Sequence, residues 1–243
     1  MHRFFIPSEW IVQEQVQLKE DRAHQVNDVL RLKPKEHISV LDNSGWEYEV
    51  EIEKASGDLV QGRVVSKAIC PGEPAIRIIL YQAVLKMDKF ELVLQKSVEL
   101  GVSAFVPFIS ERCVVRAPSD NRMMRWQAII REAAEQSGRT VLPVLKAPVT
   151  FREACEKADK PAILLWEEEK KNSLHIVLRS APYSITQALS VFIGPEGGFP
   201  PSEAVFAESC GIPPVSLGRR VLRAETAGIA AISAILYERG ELG

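Results

Sequence analysis

The chain has 243 residues, 46% hydrophobic and 26% charged, enough for one large or two ordinary globular domains. A formal net charge of −2 argues against a generic polyanion binder, and no apolar run reaches the roughly 18 residues that a membrane span needs. Cys70, Cys113, Cys155 and Cys210 form no CxxC pair and the four histidines do not cluster, so neither disulfides nor a metal site are expected. With no export signal read in MHRFFIPSEW, reduced thiols and a cytoplasmic location are the plain expectation.

Residues 20–32 carry Ala23, Val26, Val29 and Leu30 on one helical face. From Ile38 to Val65 the pattern alternates instead, with Ile38, Val40, Trp46, Tyr48, Val50 and Ile52 in register. Turn signals at 43–45 and 56–58 divide the runs, which predicts a compact antiparallel β-structure. CPGEP at 70–74 then breaks the chain.

Beyond the break, strand and helix signals alternate. Ile76–Leu85 suits a strand buried on both faces. Residues 88–100 form a helix with Phe90, Val93, Leu94 and Ser97 inward, ended by Gly101. Ala104–Ile109 is a strand, and Ser119 or Asp120 caps a helix running to Ser137. Its buried stripe is Met123, Trp126, Ile130, Ala133 and Ala134. Short strands at 161–166, 189–193 and 215–217 and helices at 201–210 and 224–238 complete the pattern, which implies a mainly parallel sheet.

Two glycine-bearing turns, GPEGGF at 194–199 and LGRRVLR at 217–223, each follow a short apolar run and precede a helical segment. In an open α/β sheet, ligands settle where such loops gather at the carboxyl ends of strands. GPEGG lacks the Walker lysine and hydroxyl and does not fit GxGxxG, so a nucleoside triphosphate site is not expected. Its glycines open the main chain to a ligand; a tight turn requiring positive φ explains them equally well in isolation. Arg112, Arg116, Arg122, Arg125 and Arg131 stand against the single acid Asp120, a bias that suits phosphates or a solvated helix face. Glu225 and Thr226 either cap the last helix or line a site.

IGPEGGF and LGRRVLRAETA, with QKSVELGV at 95–102, PFISER at 107–112, EAAEQSGR at 132–139 and the N-terminal RFFIP and HQVNDVLRLK, cover essentially the whole chain. Together they resemble the 16S ribosomal RNA uridine-N3 methyltransferase family, of the SPOUT class of S-adenosylmethionine-dependent RNA methyltransferases. One departure is Ser137, where that family often has a cysteine.

The resemblance implies an α/β methyltransferase domain at 75–243, with a mostly parallel sheet and a C-terminal deep trefoil knot. A small PUA-like β-barrel at 1–70 would precede it, and the protein would be a homodimer acting on 16S rRNA, in the small ribosomal subunit, and not at a membrane. S-adenosylmethionine would contact Leu165, Trp166, Ile193, Gly194, Pro195, Glu196, Gly197, Gly198, Leu217, Gly218, Arg220, Val221 and Leu222. RNA contacts are expected from Arg3, Arg31, Arg112, Arg116, Arg122 and Arg139. Uridine N3 must lose a proton before it can attack, so the site needs a proton acceptor and a group that stabilises charge on O2 and O4. Arg223 is the candidate for the second duty, or else makes a structural salt bridge; Glu225 or Glu196 is the candidate for the first. Another RNA as substrate, or a non-catalytic assembly factor of the same fold, stays open at this stage.

Overall fold

The computed structural model describes residues 1–70, 72–86, 88–115 and 118–242. It divides into two compact units, Met1–Glu73 with Ala134–Leu142, and Pro74–Ala133 with Pro143–Gly243. Among the described residues no helix is long and apolar enough to cross a membrane.

The first unit contains β1 (His2–Phe5), β2 (Ile11–Val12), β3 (Gln15–Lys19), α1 (Glu20–His24), β4 (His37–Leu41), β5 (Trp46–Ser56) and β6 (Leu59–Ile69). The strands form one sheet in the order β1-β4-β5-β6-β3-β2, antiparallel except for the β1–β4 pair. Alternation puts Ile38, Val40, Val50 and Ile52 inside with Val16, Leu18 and Phe4. Two register shifts bend β5 against β6, and Gly62 sits where they bring backbones together. A Cβ there would lie 2.6 Å from Val50 Cγ1 and 2.7 Å from the Glu51 carbonyl oxygen. The helix expected over 20–32 is shorter: α1 passes into a π-helical turn over Gln25–Val29, and Arg31 at φ 56° ends it.

No sequence pattern marks 134–142 as part of this unit, but its hydrogen bonds explain the placement. Glu135 accepts from the Phe5 N–H at 3.0 Å and from Arg22 at 2.7 Å. Arg3 donates to the Gly138 carbonyl at 3.1 Å, and Asn43 accepts from the Leu142 N–H at 2.6 Å.

The second unit contains β7 (Arg77–Ala83), α2 (Lys89–Glu99), β8 (Ala104–Ile109), α3 (Asp120–Ser137, its last turn in the first unit), β9 (Val144–Leu145), β10 (Val149–Thr150) and α4 (Phe151–Lys157). It continues with β11 (Ala162–Leu165), α5 (Leu174–Arg179), β12 (Ala188–Ile193), α6 (Pro201–Ser209), β13 (Pro214–Val215) and α7 (Ala224–Glu238). Its seven strands run β10-β8-β7-β12-β11-β13, with β9 also on β8, and every pairing is parallel. The α/β class with a parallel sheet follows from these pairings. Continuous apolar strands such as β7 and β12 are buried on both faces, as parallel sheets require. Phe90, Val93, Leu94 and Ser97 of α2 are buried as expected, and Val98 with them. Trp126 stacks on Phe90 at 4.1 Å, while Met123, expected in the same stripe, is only partly covered. The helix α4 escaped the periodicity reading, yet its Thr150–Glu153 capping box is a legible start signal.

Candidate functional site

β12 lies between β7 and β11 in space although β8 and β10 precede it in sequence. Register makes the consequence concrete: Leu165 pairs with both Ile193 and Val215, and Ile193 also neighbours Gln82. The last residues of β11, β12 and β13 are therefore level, and the loops at 166–172, 194–200 and 216–223 leave from one edge.

Hydrogen bonds lace these loops together. The Trp166 N–H donates to the Val215 carbonyl at 3.0 Å and the Ser216 N–H to the Asn172 carbonyl at 2.8 Å. Trp166 Nε1 donates to the Phe199 carbonyl at 3.1 Å. Gly198 adopts φ 66°, and a Cβ on it would run into the Glu167 carboxylate, so the GPEGG turn requires glycine here for both shape and space. Arg112 donates to the Gly197 carbonyl at 2.9 Å, and Glu196 accepts from the Lys86 N–H at 3.0 Å.

Between the first and third loops lies a recess of about 80 Å³ lined by Leu165, Trp166, Glu167, Lys170, Ser216–Leu222 and Ala227. Seven of the expected cofactor residues (Leu165, Trp166, Leu217, Gly218, Arg220, Val221 and Leu222) line it. Ile193, Gly194, Pro195, Glu196, Gly197 and Gly198 do not; they stand beside it, joined through Glu167 and Trp166. Glu167, Lys170, Ser216, Arg219 and Ala227 complete the lining and carry no motif of their own. Only their position next to strand ends marks them.

Arg223 holds the N-cap position of α7 without a capping hydrogen bond, and its side chain is exposed. Among the described residues nothing pairs with its guanidinium, so the structural salt bridge weighed for it is not formed. Neither Glu225 nor Thr226 caps the helix by a side-chain bond. Glu225 instead points from the first turn toward α2, where Lys89 Nζ stands 3.4 Å from its Oε1.

The arginines expected at RNA separate into two groups. Arg139 is 3% exposed and its guanidinium meets Glu73 at 2.6 Å. A guanidinium sealed by its carboxylate has no surface left for a phosphate, so its duty is structural. Arg3 is likewise engaged, with Glu47 at 3.0 Å and the Gly138 carbonyl. Arg31 and Arg112 are exposed. Arg122 donates to the Leu85 carbonyl and lies 5.0 Å over the Trp126 ring. Arg116 lies outside the described residues. Among the described residues no group of three His, Cys, Asp or Glu could hold a metal ion.

The chain matches the RNA methyltransferase domain family over residues 72–236. It is 33% identical over 237 residues to a Synechocystis protein named ribosomal RNA small subunit methyltransferase E, spanning 96% of this chain and 77% of that one. A ribosomal RNA small subunit methyltransferase E from Neisseria gonorrhoeae, crystallised bound to S-adenosyl methionine, superimposes with a TM-score of 0.88 at 33% identity, covering 98% and 97% of the two chains. A Legionella pneumophila methyltransferase in complex with the same cofactor gives 0.87 at 31% identity, covering 97% and 96%. With three level strand ends, a glycine turn closed on Glu167 and a match over most of its length, this chain belongs to the ribosomal RNA small subunit methyltransferase E family.

Proposed function

We propose that the protein transfers a methyl group from S-adenosylmethionine to N3 of a uridine in 16S ribosomal RNA. The observation that carries this reading is the convergence of three loops at Leu165, Ile193 and Val215, in a chain whose relatives bind that cofactor or are named for that RNA.

The recess is small, and what suits the cofactor is the chemistry of the residues around it. Leu165, Trp166, Leu217, Val221, Leu222 and Ala227 supply apolar surface for a flat base and a thioether chain. Gly218 leaves main-chain groups accessible, while Lys170, Arg219 and Arg220 offer cations for a carboxylate. When bound, the cofactor supplies an electrophilic methyl group on a sulfonium. The chain's own work is then to orient the acceptor, exclude water and manage one proton. Arg223, uncommitted and beside the recess, stabilises charge on the uracil oxygens, and Glu225 is the carboxylate available to receive the N3 proton.

A trefoil knot is part of this reading. Its support is that residues 216–223 leave β13, at the far side of β11, and return to start α7, which packs on α2, β7 and β12. The six-stranded first unit serves as the PUA-like RNA-binding barrel, with Arg31 among its contacts and Arg112 and Arg122 contributing from the second unit. A homodimer accords with Ile176 and Tyr237, which expose apolar surface on α5 and α7. The target inside the small ribosomal subunit makes the protein cytoplasmic.

The test is mass-spectrometric mapping of small-subunit RNA, taken from cells lacking this gene, after incubation with purified protein and cofactor. One new 3-methyluridine is expected. A methyl group on another base or a ribose, or none despite cofactor binding, refutes the assignment.

A further inference from the structure

Ser110 is sealed just past the carboxyl end of β8, 4% exposed, and its hydroxyl donates to Glu203 Oε2 at 2.8 Å. The adjacent Glu111 N–H donates to Glu203 Oε1 at 2.9 Å, so one carboxylate grips two consecutive residues. Glu203 stands in the first turn of α6, where Pro201 sets the helix start and the helix dipole favours an acid. Ser110 is also closed on Cys113, whose N–H donates to the Ser110 carbonyl at 3.0 Å. Arg112 rides on this turn and reaches back across the sheet edge. Its Nη1 donates to the Gly197 carbonyl at 2.9 Å, and a Cβ built on Gly197 would stand 3.2 Å from Arg112 Cβ. The loops after β8 and β12 are thus fastened at two points, although β7 separates their strands. Beyond Gly197 the path continues: Gly198 abuts the Glu167 carboxylate, and Glu167 lines the recess. Arg112 is exposed, and among the described residues no carboxylate pairs with it, so its remaining N–H groups stay open to an anion.

Resting on the methyl-transfer reading, we propose that Glu203 is a positioning residue that holds Arg112 against the glycine turn. Through it an RNA phosphate on Arg112 and the cofactor in the recess each tighten the binding of the other. The Gly197 carbonyl and a phosphate oxygen take different N–H groups of one guanidinium, so the two contacts coexist. A phosphate on Arg112 fixes the side chain that pins Gly197, and so steadies Gly198 and Glu167 at the recess wall. A cofactor in the recess steadies the same turn from the other side and presents Arg112 already oriented. Whichever ligand binds first orders the shared turn, and the second is spared that cost. Without Glu203, Ser110 and Glu111 lose their common anchor, and the Arg112–Gly197 bond has to hold two loops alone.

The test titrates S-adenosylhomocysteine, the demethylated cofactor, into protein with and without a saturating small-subunit RNA fragment. Calorimetry gives the ratio of the two affinities with no methyl transfer in progress. Wild type is expected to bind about fivefold tighter or more when RNA is present, the lower end of usual coupling. In Glu203→Ala that ratio is expected to fall close to one, with the RNA-free affinity changed less than about threefold. Glu203→Gln, whose amide can accept from Glu111 N–H and donate to Ser110 Oγ, restores most of the coupling. RNA affinity by fluorescence anisotropy supplies the second reading. Glu203→Ala weakens it about fivefold in the presence of Arg112 and leaves it unchanged in an Arg112→Ala background, because Glu203 acts through that residue. Should Glu203→Ala not fold, Ser110→Ala, which removes one of the two bonds, is expected to lose part of the ratio. Wild type that binds both ligands without coupling, a folded Glu203→Ala protein with the wild-type ratio, or equal RNA losses in both backgrounds overturns the proposal. Wild type that binds neither ligand strikes the underlying function instead.

Discussion

Gly198 stands directly against the Glu167 carboxylate: a Cβ built on the glycine would overlap Oε1 and come within 2.9 Å of Cδ. One residue comes from the loop after β12 and the other from the loop after β11, so this contact sets the spacing of two of the three loops at the recess. Gly198→Ala faces both this clash and a φ of 66°, the latter costing about 1–2 kcal/mol. Glu167 is exposed at the far end of a flexible side chain and can swing away. Gly198→Ala is therefore expected to weaken cofactor binding about tenfold or more by calorimetry, with part of the loss recovered in Glu167→Ala/Gly198→Ala. Strict additivity of the two changes would mean that the contact does not couple the loops.

Arg139 predicts a stability effect, not an RNA effect. Glu73 takes its guanidinium at 2.6 Å and also accepts from the Thr140 and Val141 N–H groups at 3.0 and 3.1 Å. Arg139→Ala is expected to cost about 2–3 kcal/mol in urea unfolding, because it strands a partly buried carboxylate. Arg139→Lys recovers only part, since an ammonium cannot reproduce the fork. The salt dependence of RNA binding by either folded variant should match wild type.

Arg112 is the opposite case, exposed and bound to the Gly197 carbonyl by one nitrogen. Arg112→Ala is expected to act twice. Loss of one phosphate contact reduces the slope of log K against log salt by about 0.7–0.9, and loss of the Gly197 bond weakens cofactor affinity several-fold. Fluorescence anisotropy across a salt series and calorimetry separate the two. An unchanged slope would remove Arg112 from the RNA contacts.

Cys155 bears on pH. Burial, with Cys210 nearby, pushes its thiol up to about 12, and burial raises Cys113 as well. The folded value lies above the unfolded one, near 8.5, so the neutral thiol's contribution is whole below that pH. It is lost as pH climbs from there toward about 12. The urea midpoint of wild type is expected to fall more steeply between pH 8 and 10 than that of Cys155→Ala. In native protein at pH 8, Cys155 should resist a thiol-reactive dye that labels Cys70, and both should react after unfolding.

Much of this molecule is written in local pattern. Period two placed the strands at Ile38–Leu41 and Trp46–Ile52. Period 3.6 with terminal glycines placed α2 and α3, and unbroken apolar runs marked β7 and β12 for a parallel sheet. Such features depend on neighbours a few residues away, so the sequence alone determines them. The glycine turns and the chain-long resemblance likewise pointed to the ends of β12 and β13, which the register makes level. What tertiary structure decided is pairing between distant residues. Arg139 and Arg112 read alike as basic residues, and only their partners tell them apart: Glu73 seals the one, while the other stays exposed on the Gly197 carbonyl. Lys89 carried no motif, because its partner Glu225 lies more than a hundred residues away and is brought near by α2 packing on α7. The insertion of β12 between β7 and β11 brings the loop that carries Gly197 beside strands distant from it in sequence. It follows from burying strands on both faces within one sheet, an energy that no local segment contains.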